Sequence, residues 1–237
     1  PQGYLVAAGS RVYTPCGRSV SLCLDAATEQ FVSLSYNTRE TTDYHVSAIG
    51  PYLFHGMECY DTQTKKAIGV SARRPVLTEK AAFAGEDSTI TAYDLVNPKV
   101  VETKDRRGKV VKKTIFNRLW TVKTDSLRVI PQGVAPHKWV QEHPVHVGVK
   151  AGNRLYGFQD STIFAIDLPQ GDAEAKLSWN TQVDGTPASM LVADGRLFVV
   201  TLEGRIYSFG ASSGKVQRHD AQTTTPVETA ASAPKAE

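Results

Sequence analysis

The chain contains 237 residues, of which 41% are hydrophobic and 22% are charged, and its formal net charge is +3. These values and a mean hydropathy of −0.27 predict a folded domain that is large enough to bury a core. No apolar run of the sequence approaches the roughly 20 residues that a membrane-spanning helix requires. Such a mild positive charge does not by itself predict a nucleic-acid partner, so any cationic site must be local.

The first residues carry no initiating Met and no pattern of a secretion signal, and they lead directly into an apolar run. We therefore expect this sequence to be a piece of a longer chain.

A short unit recurs five times along the chain, and each copy ends with a small residue, a large apolar residue and an acid or its replacement. These closing residues are Asp25, Asp61, Asp94, Asp167 and Gly210. An apolar pair precedes each of them at a distance that fits two short strands and a tight turn, and the second copy is shorter than the others. The pairs are Val12 and Tyr13, Leu53 and Phe54, Ala82 and Phe83, Leu155 and Tyr156, and Leu197 and Phe198.

Turn-forming residues fall between the apolar runs, at Gly152-Asn153, Asp194-Gly195, Glu203-Gly204 and Ser213-Gly214. β-Branched and aromatic residues dominate the runs, and no long stretch keeps the apolar period of a helix. The sequence therefore predicts an all-β fold. Because the unit repeats every few tens of residues, we expect a β-propeller of four-stranded antiparallel blades, with about five blade repeats present.

The three cysteines, Cys16, Cys23 and Cys59, do not form a disulfide pattern. Cys23 and Cys59 occupy the small-residue position of the repeat, which predicts inert buried side chains on strands. Cys16 falls in the first turn region, where we expect it to be exposed.

The closing aspartates have two interpretations, as metal or catalytic groups or as turn residues. An Asp at a strand end accepts hydrogen bonds from the next backbone amides, and aspartates on separate blades are too dispersed to share one ion. The replacement by Gly210 also favours the turn interpretation. Three histidines, His137, His143 and His146, lie close together, but Pro144 and the absence of a cysteine pair do not favour zinc.

The step from Asp94 to Asp167 is much longer than the other steps, which predicts an insertion at about residues 99–128. Its first half has the pattern of a β-hairpin that turns at Arg107 and Gly108. Basic residues lie on both arms: Lys104, Arg106, Arg107, Lys109, Lys112 and Lys113. They indicate either a surface for an acidic or phosphate-bearing partner or a solvated hairpin that protects a sheet edge. The run lacks interleaved aromatic residues, which makes nucleic acid an unfavoured partner.

The composition changes after Arg218, and residues 221–237 lack aromatic residues and are too polar to bury a core. We expect a disordered linker or tail there, after a propeller domain that spans residues 1–220.

Residues 179–216 closely resemble the pyrroloquinoline-quinone-like (PQQ-like) repeat of quinoprotein-type β-propellers. The similarity rests on the opening Trp179, the turn at Asp194-Gly195-Arg196 and the closing Ser213-Gly214-Lys215. Weaker copies extend it over residues 3–220, and together they resemble the propeller of large multidomain bacterial envelope proteins. The resemblance implies a seven- or eight-bladed ring, of which this chain is a part, and a periplasmic, envelope or secreted location.

Quinone-binding members of this family hold the cofactor against a disulfide between adjacent cysteines, with a calcium ion bound by Glu, Asn and Asp. Cys16, Cys23 and Cys59 are not adjacent, so the resemblance implies the fold and no catalytic, cofactor-binding or metal-binding residue. PQQ and calcium are expected only if their ligands lie outside this chain.

The sequence therefore predicts a non-catalytic propeller that is a rigid interaction platform for protein partners or neighbouring domains. The alternative is a part of a PQQ-dependent dehydrogenase, or a propeller that supports an attached methyltransferase-like domain. An adjacent cysteine pair with acidic calcium ligands elsewhere in the full-length sequence would favour the dehydrogenase, and a glycine-rich nucleotide-binding loop after the tail would favour the methyltransferase.

Overall fold

The computed structural model describes residues 3–16, 19–34, 45–70, 72–105, 107–128, 135 and 143–210. These residues form eighteen strands and one short 3-10 helix, Asp125–Leu127. The prediction of an all-β fold is therefore confirmed. The expected turn at Ser213-Gly214 and the expected tail lie outside the described residues.

The strands fall into five successive groups, which we call blades 1 to 5. Blade 1 contains β1 (Val6–Ala8), β2 (Arg11–Cys16) and β3 (Ser19–Asp25). Blade 2 contains β4 (Val46–Ile49), β5 (Tyr52–His55), β6 (Glu58–Asp61) and β7 (Lys66–Gly69). Blade 3 contains β8 (Arg73–Leu77), β9 (Ala81–Glu86), β10 (Thr89–Lys104) and β11 (Val110–Lys123). Blade 4 contains β12 (His146–Ala151), β13 (Arg154–Gln159), β14 (Thr162–Asp167) and β15 (Lys176–Gln182). Blade 5 contains β16 (Pro187–Ala193), β17 (Arg196–Thr201) and β18 (Ile206–Phe209).

Consecutive strands of each blade pair antiparallel. The β16–β17 turn is built by Asp194 and Gly195, which have φ angles of 49° and 70°. Two successive positive φ angles match the right-handed twist of a two-residue hairpin, and Asp and Gly tolerate them. This turn and those at Gly152-Asn153 and Glu203-Gly204 lie between strands, as the sequence predicts.

Each repeated unit occupies the second and third strands of one blade, and the register explains why a small residue recurs. Cross-strand pairs place a large aromatic side chain of the second strand opposite that small residue in every blade. The pairs are Tyr13 with Cys23, Phe54 with Cys59, Phe83 with Ala92, Tyr156 with Ala165, and Phe198 with Ser208. A directly opposed pair has Cβ atoms only about 5 Å apart, so a small partner leaves room for the ring.

Neighbouring blades pack face to face and share apolar clusters. The first strands of successive blades contact one another in chain order, β1 with β4, β4 with β8, β8 with β12 and β12 with β16. One cluster joins Tyr13 of blade 1 to Leu53 of blade 2. Others join Phe54 to Phe116, Phe83 to Phe164, and Ile163 to Val199. The core is therefore a series of layers between blades.

One connection differs from the expected set of separate blades. β7 pairs parallel to β11 at Ile68 with Thr114 and at Gly69 with Ile115, so blades 2 and 3 form one eight-stranded sheet. The pairing is possible because β10 and β11, of 16 and 14 residues, extend past the end of their blade to the outer edge of β7. Within the part of the chain that the structure describes, no helix has the length and apolarity needed to cross a bilayer.

Candidate partner-binding surface

The last two strands of blade 3, of 16 and 14 residues, continue past Asp94 as a hairpin that projects from the blade. After Asp94 the register with β11 is interrupted by a bulge, and regular pairing resumes from Lys99 with Ile115 to Lys104 with Val110. We call residues 99–115 the β10–β11 arm. Its tight turn lies at residues 105–109, around the predicted Arg107 and Gly108.

Asp105 holds the turn of this arm together. Its Oδ1 accepts hydrogen bonds from the backbone N–H of Arg107 at 2.8 Å and of Lys109 at 2.9 Å. The Asp105 amide also donates to the Lys109 carbonyl, and the Gly108 amide donates to the Asp105 carbonyl. Gly108 has a φ angle of 77°, a conformation that favours glycine. The position of the basic turn residues is therefore fixed by an acidic one.

The predicted basic residues are exposed where the structure describes them, but they do not share one face. Directly opposed residues of a strand pair point to the same side of the sheet. Lys112 lies opposite Glu102 and Lys104 opposite Val110 on one side, whereas Lys113 lies opposite Val101 on the other. Arg107 and Lys109 are exposed at the turn, and Arg106 lies outside the described residues.

A cavity of about 640 Å³ opens at the base of the arm, where β7 leaves β11. We call it the β7–β11 notch, and it is lined by Gly69, Val70, Tyr93, Lys99, Ile115, Phe116, Asn117 and Arg118. Ile115 and Phe116 contribute apolar surface beside two cationic side chains, Lys99 and Arg118. The notch therefore combines an apolar wall with positive charge.

Local contacts hold the backbone before Lys99 and place Arg118 beside Tyr93. Asp94 accepts hydrogen bonds from the Val96 and Asn97 amides, and Asn117 donates to the Asn97 carbonyl at 2.9 Å. These bonds hold the bulge that precedes Lys99. Burial raises the pKa of Tyr93, and the charge of the neighbouring Arg118 partly offsets this effect.

The sequence did not point to this notch, because it forms only where strands of two blades meet. Lys99 stands at the edge of the predicted insertion and Arg118 lies within it, but neither belongs to the dense basic run. The β-branched and aromatic residues Thr114, Ile115 and Phe116 could have marked a strand, but no local pattern encodes its pairing with β7.

The closing aspartates are mainly turn residues, as predicted. Asp25 accepts from the Ala27 and Thr28 amides, and Asp61 accepts from the Gln63 and Thr64 amides. Asp167 differs, because its Oδ1 accepts from Nε of Arg154, the residue opposite it, at 2.7 Å. Hydrogen bonds from backbone amides of Thr28 and Ala27 lower the pKa of Asp25, and the hydrogen bond from Arg154 lowers that of Asp167.

Cys23 and Cys59 are buried on strands, and burial raises the pKa of both thiols, well above the usual value for Cys59. Cys16 does not lie in an exposed turn: it is the last residue of β2 and is half-buried. His143 and His146 lie before and in β12, and His137 lies outside the described residues. Among the described side chains, no group of three His, Cys, Asp or Glu residues converges as metal ligands do.

No protein-family model matches the chain, and no curated protein matches its sequence. Among solved structures, BamB from Moraxella catarrhalis is similar with a TM-score of 0.52 and 13% sequence identity, over 91% of this chain and 59% of that chain. The Swd1 β-propeller domain from Myceliophteria thermophila gives a TM-score of 0.47 and 12% identity, over 94% of this chain and 73% of that domain. At such identities, the likeness to BamB shows the fold alone.

The five successive blades and this likeness define the class of the protein, a β-propeller. The chain spans 59% of the BamB chain. The predicted propeller fold is confirmed, and the finer assignment to PQQ-like repeats stays a prediction.

Proposed function

We propose that this propeller is a rigid, non-catalytic platform that binds an acidic protein partner, within a bacterial envelope or secreted assembly. The observation that carries the proposal is the β10–β11 arm, which extends beyond its blade, pairs regularly from Lys99 with Ile115 to Lys104 with Val110, and presents exposed cations. Complementary charge speeds association and selects partners, and a preformed strand pair loses little freedom on binding.

The charge balance of the arm favours an acidic partner over a role in edge protection alone. The described residues of the arm carry Lys99, Lys104, Arg107, Lys109, Lys112 and Lys113 against Glu102 and Asp105. β11 also covers the edge of β7, but only beside Ile68 and Gly69. Lysines farther along the arm therefore exceed what this edge contact requires.

The PQQ-like repeat supports the proposed location and the absence of a catalytic role for these blades. This support comes from the residues that resemble the repeat, from Trp179 to Lys215, and from the lack of an adjacent cysteine pair. The dehydrogenase and methyltransferase alternatives concern residues outside this chain.

The test is cross-linking of the protein in an envelope extract, followed by mass spectrometry, with two double variants. We expect Lys112→Glu with Lys113→Glu to lose the acidic proteins that the wild type captures. Lys150→Glu with Lys176→Glu changes the same charge on blade 4 and is expected to retain them. Equal capture by both variants would contradict the platform role of the arm. Dye reduction by the protein with added PQQ and calcium would contradict the non-catalytic role of the propeller.

A further inference from the structure

We infer that the β7–β11 notch binds an extended acidic peptide segment, which adds as a strand to the open edge of β11. This inference rests on the proposed platform function and names the recognition site within it. Strand addition to a free sheet edge is a general mode of peptide recognition, in which backbone hydrogen bonds give affinity and side-chain contacts give specificity.

The open edge is visible in the strand pairing. One side of β11 pairs with β10 from Val110 to Lys123, whereas the other side pairs with β7 only at Thr114 and Ile115 among the described residues. Every second residue of an edge strand directs its N–H and C=O away from its partner. The stretch from Asn117 onward therefore offers backbone groups to a further strand.

The β7 pairing ends at the notch. β7 ends at Gly69, and among the described residues its parallel pairing with β11 also ends there, at Gly69 with Ile115. A bound peptide would take, beside Asn117 and its neighbours, the position that β7 takes beside Thr114 and Ile115.

The side chains around this edge specify the charge of the peptide. Lys99 and Arg118 line the notch, and both are exposed. Asp94, which lies opposite Asn117 in the ladder, accepts hydrogen bonds from Val96 and Asn97 and so is engaged in its own turn. Leu119, which is 53% exposed, follows on the same strand and offers apolar contact area. An acidic segment with alternating apolar residues matches this arrangement.

The probe is a fluorescent heptapeptide of alternating Glu and Val residues, titrated against the intact chain and followed by anisotropy. We expect saturable binding, and we expect Lys99→Glu and Arg118→Glu each to weaken it by about 10-fold or more. Lys150→Glu on β12 is the matched charge change and is expected to leave binding unchanged. Because Lys99 is exposed, its variant also tests the inference without disturbing the packing around Tyr93.

Two further peptides distinguish strand addition from simple charge attraction. The same sequence with N-methyl groups on alternate backbone nitrogens keeps its charge and loses edge hydrogen bonds, so we expect it to bind at least about 10-fold more weakly. In the wild type, those amides from Asn117 onward that face away from β10 are expected to exchange more slowly with solvent when the unmodified peptide is bound. Equal binding of the methylated peptide would overturn the inference.

The outcomes also separate this inference from the proposed function. Binding that depends on Lys112 and Lys113 but not on Lys99 or Arg118 would overturn the notch as the site and leave the platform standing. Displacement of the peptide by an equal charge of single-stranded oligonucleotide would overturn the choice of a peptide ligand. If every arm variant still captured the acidic proteins, the platform function itself would be contradicted.

Discussion

Aspartates in this protein show how the position of one residue type sets its chemistry. Asp25 ends β3 and Asp94 lies at the bulge within β10, and both accept hydrogen bonds from backbone amides. Asp160 lies in the β13–β14 turn between Gln159 and Thr162. Hydrogen bonds lower the pKa of Asp25 and Asp94, and desolvation raises that of Asp160 despite the nearby charges of His143 and Arg128.

These opposite shifts predict an order of protonation. As pH falls, Asp160 is expected to protonate first, and Asp25 and Asp94 are expected to protonate below the pKa that they have in the unfolded chain. A carboxyl group with a lowered folded pKa stabilises the fold above its unfolded pKa, and this stabilisation is lost as pH falls through the folded pKa. Carbon-13 NMR titration of the carboxyl groups, in the folded and the urea-unfolded chain, measures these pKa values. Equal midpoints in both states would contradict the role of the turn hydrogen bonds.

At the scale of the element, the local stability of the β10–β11 arm depends more on its turn than on packing against the core. Two backbone amides of the turn donate to the Asp105 side chain. Beyond Lys99 the strands carry exposed residues such as Val100 and Val110, which are 64% and 55% exposed. The end of the arm is therefore expected to open locally without unfolding of the propeller.

Asp105→Ala tests this dependence. We expect the amides of Arg107 and Lys109 to exchange with solvent about 5-fold faster or more, since each lost hydrogen bond contributes roughly 1 kcal/mol. The midpoint of global unfolding should change little. Glu102→Ala is the control, because Glu102 lies opposite Lys112 in the ladder and its side chain is exposed. A large drop of the global unfolding midpoint in Asp105→Ala would contradict a locally opening arm.

At the scale of the whole molecule, close approach between blades depends on glycines that face a neighbour. A Cβ atom at Gly85 of β9 would fall on the backbone carbonyl of Val145, which precedes blade 4. A Cβ atom at Gly148 of β12 would instead meet the side chain of Met190 in blade 5. Backbone cannot move away without separating two blades, whereas a methionine side chain is flexible.

Gly85→Ala is therefore expected to lower the free energy of unfolding more than Gly148→Ala does. The cost of overpacking at Gly85 should be about 1–3 kcal/mol. Urea denaturation of the two variants and the wild type measures the difference. Equal midpoints for Gly85→Ala and the wild type would show that blades 3 and 4 do not pack as closely as the structure places them.

The sequence by itself determined what is local. The apolar pairs, the turn chemistry and the recurring small residue predicted the second and third strands of each blade, and the opposed aromatic ring explains why that residue is small. The buried state of Cys59 followed from the same position in the repeat. The sequence also predicted the turn at Gly108, since glycine readily adopts the positive φ angle found there.

Only the tertiary structure determined which apolar residues are buried and where a cavity forms, because both depend on the elements that pack together. Ile90, Ile163 and Ile206 hold the same position in the third strands of blades 3, 4 and 5; the first two are fully buried, whereas Ile206 is 71% exposed. Blades 4 and 5 cover the first two, and no further blade covers Ile206 in the described part of the chain. The β7–β11 notch likewise exists because strands far apart in the sequence meet. A local pattern records which face of a strand is apolar, but burial and the formation of a cavity are set by the element that packs against that face.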